Sequence, residues 1–198
     1  MFFKSRAWDE VVYWALDLET SSLDPKDGVI LSVGLVPLLE GRIQWRERYY
    51  SLVRPEGISE ADTEAIAIHH ILPEELDDAP PLKAVTAEIA GRLETGEVLL
   101  VHHAPLDVGY LRKAFGACEI RWPKPKVVDT QVLASRVEQR RHILQPYARP
   151  LPRSLPGLRA TFDLPEFDPH HALSDALATA ELFLALRARL DLQTTRQL

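Results

Sequence analysis

Three runs of strand-favouring residues, 11–18, 28–37 and 42–54, follow one another across connections too short to do anything but reverse the chain. The breaks carry "DPKDG" (24–28) and "EGR" (40–42), both turn-forming. A parallel pair needs a crossover of roughly a dozen residues or more, so these runs must pair as antiparallel hairpins. Further along, the pattern changes. "SEADTEAIAIHH" (59–70) and "PLKAVTAEIAGRLETG" (81–96) carry helical spacing, the first opened by a Ser-x-x-Asp cap, the second closed by Gly96. "EVLLVHH" is a short apolar strand feeding a helix over about 106–115, "KVVDTQVLASRVEQ" repeats that step, and a last helix spans about His171 to Leu190. Strand–helix alternation builds parallel crossovers. The expected fold is therefore α/β, a mixed sheet of about five strands flanked by helices. With 198 residues, 46% of them hydrophobic, the chain suits a single domain over 1–198 and would be cramped as two.

Composition removes several function classes. The one cysteine, Cys118, allows no intrachain disulfide and has no cysteine neighbour for a metal, which points to a reducing, cytoplasmic setting. No stretch approaches the ~20 apolar residues of a membrane span, and "MFFKSRAW" turns polar too soon for a secretory signal. A net charge of −6 argues against coating nucleic acid by bulk electrostatics. It leaves room for a local acidic site whose bound cations attract phosphate. The Pro-rich stretch between Arg136 and Arg159 holds Arg140, Arg141, Arg149 and Arg153. It reads equally as a guide for a nucleic-acid strand or as a solvated helix end and stiff loop.

The first apolar run ends in Asp17 and Glu19, two residues apart and so on one face of a strand. Two such carboxylates repel unless a cation compensates them. Asp107 opens a helix straight after a strand, and Asp175 interrupts an Ala- and Leu-rich helix. Singly, each acid has an ordinary use as a cap, a dipole partner or a surface charge. Converging, the four make a hard oxygen site for Mg²⁺ or Mn²⁺.

The order Asp-x-Glu-Thr, His-x-x-x-x-Asp and His-x-Ala-Leu-x-Asp-Ala resembles the three motifs of the DEDDh 3′–5′ exonucleases, the group that includes the proofreading epsilon subunit of bacterial DNA polymerase III and RNase T. The likeness runs from about Val11 to Leu186 and includes "AIAIHHILPEEL", "VLLVHHAPLDVGYLRKAF" and "VVDTQVLA". It implies an RNase H-like fold and two-metal hydrolysis of a terminal phosphodiester. Asp17 would bridge two divalent cations, Glu19 and Asp175 would complete one site, and Asp107 would serve the second. The family's spacing puts the general base five residues before the last aspartate, at His170. Helix geometry alone favours His171, four residues before Asp175, so His170 requires a loop ahead of the helix, which Pro169 suits. A histidine side chain can take a proton from an attacking water near neutral pH, and the resemblance makes His170 the favoured one.

The resemblance also makes Thr20, Leu23 and His103 substrate-binding candidates. Two departures stand out. His103 and Leu106 replace the usual Asn and Phe of His-Asn-x-x-Phe-Asp, and Ser22 replaces a Gly after Glu-Thr-Thr, a change that matters if the position needs a positive φ. His69 and His70 are expected to pack, and Asp129 and Thr130 to cap a helix. The expected function is a 3′–5′ exonuclease on the 3′ end of single-stranded nucleic acid, DNA ahead of RNA. Its competitors are an RNA-trimming enzyme and a dormant nucleic-acid-binding or polymerase-accessory module. A DNA polymerase partner follows from the same resemblance. With about a turn or two after the last helix, the expectation is a stand-alone nuclease or one docked through its folded surface.

Overall fold

The central hairpin forms as expected. Strand β1 (Tyr13–Thr20) pairs antiparallel with β2 (Ile30–Leu39), from Tyr13 opposite Leu38 to Thr20 opposite Ile30. The computed structural model describes residues 6–55, 71, 73–93 and 97–198. The helix expected over 59–70, its His69 and His70, and Gly96 lie outside these.

Strand β5 (Val98–Val101) adds parallel to the other side of β1, and β6 (Lys126–Asp129) adds parallel to β5. The run expected over 42–54 is two strands, β3 (Arg42–Ile43) and β4 (Tyr49–Leu52), both on the outer edge of β2, so the sheet has six strands instead of five. Pro37 is the cause. Its carbonyl accepts from Gln44 N at 2.8 Å, so its nitrogen faces the same edge and has no hydrogen to offer. The edge ladder breaks opposite it, and Trp45–Glu47 bulges into a 3-10 turn.

The helices among the described residues are α1 (Pro73–Asp77), α2 (Leu82–Arg92), α3 (Ala104–Ala117), α4 (Thr130–Leu144), α5 (Leu155–Thr161) and α6 (Ala172–Leu190). The short α5 is an addition to the sequence reading. Ser154 caps it, its side chain accepting from Gly157 N, and Pro156 occupies its first turn. Trp14, Leu16 and Leu18 pack with α2 and α3 on one face of the sheet, while Tyr13 and Ala15 pack with α4, α5 and α6 on the other. Burial on both faces accounts for the nearly unbroken apolar character of β1. Asp17 and Glu19 continue the Tyr13–Ala15 row and so point to the α6 side.

Candidate active site

The start of α6 comes unusually close to the sheet. Gly34 of β2 lies opposite Asp17, and a Cβ placed there would be 2.3 Å from the carbonyl carbon and oxygen of Ala172 and 2.4 Å from Leu173 N. Only glycine lets the helix backbone settle on β2 at that level. Asp175, in the first turn of α6, is thereby brought over β1. One carboxylate oxygen from each of Asp17, Glu19 and Asp175 lies within 4.8 Å of the others.

Asp107 joins from α3, in whose first turn it is 3% exposed. It is not one of the three mutually close acids, yet it is the neighbouring charge that acts most on Asp17. Asp17 keeps a little solvent access, but its carboxyl lies deep. Burial first, then Asp107, Asp175 and Glu19, hold its pKa well above the ordinary value. Burial also raises Asp107, followed by the charge of Asp129, with its own backbone N–H pulling the other way. Carboxyls buried and crowded together in this way are relieved by a nearby positive charge. The all-oxygen donor set fits hard divalent cations such as Mg²⁺ or Mn²⁺, and a bound cation would return both aspartates to their charged forms.

His170 and His171 precede α6, which begins at Ala172; the helix expected from His171 starts one residue later. His171 is the N-cap residue, and its ring stacks on Tyr50 of β4 with centroids 4.7 Å apart and planes 20° apart. His170 is exposed on the preceding loop in the left-handed region, φ 68°, and its N–H donates to Asp175 Oδ2 at 3.1 Å. Behind this loop, Arg159 of α5 is 3% exposed. It donates to Ala178 O at 2.9 Å and Pro165 O at 2.9 Å, pairs with Glu181 at 2.7 Å and lies 4.9 Å from the Phe167 ring centroid.

The remaining candidates surround the end of β1. Thr20 is buried and donates its hydroxyl to Ser22 O at 2.9 Å, and Leu23 is 87% exposed in the following turn. Ser22 has no positive φ, so the turn does not need the family's glycine; its carbonyl also accepts from Tyr110 of α3 at 2.7 Å. His103, exposed at the entry to α3, does have positive φ, 83°, a conformation in which asparagine is a frequent occupant. Its N–H donates to Asp129 Oδ1 at 3.2 Å and its ring meets Gln131 Oε1 at 3.3 Å. Leu106 packs against the core, where its aliphatic chain takes the place of the usual ring.

Asp129 does more than the cap expected of it. It accepts from Gln131 N at 2.8 Å as the cap of α4, and also from His103 N and Ala104 N, the latter at 2.8 Å. One carboxylate thus fastens the starts of two helices. Beside it, His102 Nε2 faces Arg153 O at 3.0 Å, an acceptor only, so Nε2 carries the proton and Nδ1 faces Thr130 Oγ1 at 2.7 Å. Burial lowers the pKa of His102 and favours that neutral form.

A family model described as exonuclease matches residues 14–183. The chain is 29% identical over 182 residues to the PolC-type DNA polymerase III of Thermotoga petrophila, covering 90% of this chain and 12% of that protein. It is 28% identical over 183 residues to the DNA polymerase III subunit epsilon of Treponema pallidum, covering 91% of this chain and 78% of the relative. Among solved structures it resembles exonuclease I of E. coli in complex with a dT13 oligonucleotide, with a TM-score of 0.76, 16% identity, and coverage of 91% of this chain and 42% of that one. The likeness extends to the fold, RNase H-like in both. The chain spans only 12% and 28% of the length of the first two curated relatives. No helix among the described residues is long and apolar enough to cross a membrane.

Proposed function

This chain belongs to the exonuclease family, and from that we propose that it shortens single-stranded DNA from the 3′ end, releasing nucleoside monophosphates with two divalent cations, Mg²⁺ or Mn²⁺. The observation that carries this reading is the meeting of Asp17, Glu19 and Asp175 within 4.8 Å at the end of a buried strand, with Asp107 buried beside them. Asp17, Glu19 and Asp175 would hold one cation, and Asp107, with Asp17, would serve the other. Bound cations supply Lewis acidity toward the phosphate and lower the pKa of an attacking water. The protein's own part is placement and proton handling. Gly34 and the β1 register fix where the carboxylates stand. His170 takes the proton of the attacking water at its ring, in keeping with its place on the loop against Asp175. Leu23 offers its exposed side chain to the terminal base, while Thr20 and His103 border the same nucleotide.

DNA is favoured over RNA because the relatives include a DNA polymerase III epsilon subunit and the structural neighbour was solved with a dT13 oligonucleotide. The same relatives support a DNA polymerase as partner, and the free Cys118 supports a reducing, cytoplasmic setting.

The test is digestion of a 5′-labelled single strand by the purified chain, with Mn²⁺ or Mg²⁺ and with EDTA, beside Asp17→Ala and His170→Ala. The expected result is a ladder shortening from the 3′ end that EDTA and Asp17→Ala abolish and His170→Ala slows by at least about a hundredfold. A matched RNA strand digested faster would reverse the substrate assignment. Tight binding without digestion would identify a dormant module instead.

A further inference from the structure

Tyr50 lies on the edge strand, yet the register ties it to the acids. It pairs with Gly34, and Gly34 pairs with Asp17, so the three positions form a row on one face of the sheet. The segment entering α6 crosses that row and touches it twice in succession. Ala172 rests its backbone on Gly34, and His171 lays its ring on Tyr50. His170 comes immediately before, in a left-handed conformation that a β-carbon disfavours. Such a conformation persists where the surroundings over-determine it. The bond from His170 N–H to Asp175 is one restraint; the ring stack one residue away is the second.

We propose that Tyr50 is a positioning residue for His170: by carrying the His171 ring, it sets the path of the chain into α6 and hence where the His170 ring stands relative to Asp17, Glu19 and Asp175. The inference rests on the assignment of His170 under Proposed function. It gives His171 a mechanical role, since its imidazole lies flat on the tyrosine. The stack uses the face of the Tyr50 ring, and the hydroxyl takes no part in that contact.

The experiment measures kcat and KM on a 5′-labelled single strand for the wild type, Tyr50→Phe, Tyr50→Ala, His171→Ala and the double variant, with thermal midpoints for each. Tyr50→Ala is expected to lower kcat about ten- to a hundredfold, the scale of a ~1 Å misplacement, with KM within about twofold. Tyr50→Phe should restore kcat. His171→Ala should match Tyr50→Ala, and the double variant should be no worse than either, because both remove one contact. If Tyr50→Ala does not fold, Tyr50→Leu keeps apolar bulk without the flat ring and should show the same loss in kcat. An unchanged kcat, a loss confined to KM, or a Tyr50→Phe as slow as Tyr50→Ala overturns the proposal. So does a His171→Ala far slower than Tyr50→Ala, which would make His171 the reacting group. A wild type that digests nothing defeats the functional reading itself; an active wild type with a dead His170→Ala and a fully active Tyr50→Ala defeats only this inference.

Discussion

Gly34→Ala adds a single methyl group and tests how the site is built. The new Cβ would meet the Ala172 carbonyl at 2.3 Å, where ordinary contact begins near 3.4 Å. Both sides of this contact are backbone, one in β2, which lies between β1 and the edge strands, and one in the first turn of a 19-residue helix, so no flexible side chain can yield. The start of α6 must therefore retreat by about 1 Å, and Asp175 moves with it. Overpacking of this kind costs about 1–3 kcal/mol. For a chain of this size that lowers the unfolding midpoint by roughly 2–12 °C. Under the proposed chemistry, a ~1 Å displacement of one ligand and of His170 lowers the rate about a hundredfold. Calorimetric titration with Mn²⁺, thermal unfolding and the digestion assay read the three effects separately. Gly91→Ala is the control, since a Cβ there meets nothing within 4 Å and sits in the exposed face of α2; it should be neutral or stabilise by up to about 1 kcal/mol. A Gly34→Ala protein with wild-type midpoint and Mn²⁺ affinity would refute the claim that this contact places Asp175.

Asp17 and Asp107 have folded-state pKa values above those of the unfolded chain, so without metal their contribution to stability is most favourable below the ordinary value of 3.8 and is lost as pH rises through the raised values. Excess Mg²⁺ or Mn²⁺ should therefore raise the unfolding midpoint more at pH 8 than at pH 5, and an equal shift at both would contradict the assignment. Asp17→Asn removes the charge that burial disfavours, so in EDTA at pH 8 it should unfold at a higher temperature than the wild type while losing the response to metal. Asp129→Ala leaves the N–H groups of His103, Ala104 and Gln131 without their common acceptor; urea unfolding should show a loss of about 1–3 kcal/mol, with Asp129→Asn retaining part of it.

Much of the site can be read from the chain because its parts obey local rules. Asp17 and Glu19 stand at the end of an apolar run, and period-two alternation assigns them one face without any knowledge of the fold. The antiparallel start follows from connection length, and the parallel continuation from the alternation of strand and helix. What escapes is tertiary. Asp129 reads as the cap of its own helix, and only the β5–β6 register, Val101 opposite Asp129, reveals that it also holds the entry to α3. Arg159 is lost in an arginine-rich stretch whose other members are largely exposed, and its burial depends on where Pro165 and Ala178 come to lie. Signals for two other features were present. A glycine inside an otherwise apolar strand, as in "SVGLV", marks a close backbone approach, and a proline three residues on marks a gap in an edge ladder. The ring partnership of Tyr50 with His171 left no local trace, since 121 positions separate them.

The break opposite Pro37 has a consequence for the protein's behaviour in solution. The outer border of β2 is covered by pieces of two and four residues, interrupted by a turn rich in arginine. A strand arriving from another molecule finds no uninterrupted row of donors and acceptors to extend, and meets positive charge where the row is broken. One imino acid thus makes this side of the molecule a poor seed for cross-strand polymers, and concentrated preparations should resist edge-to-edge strand addition along it.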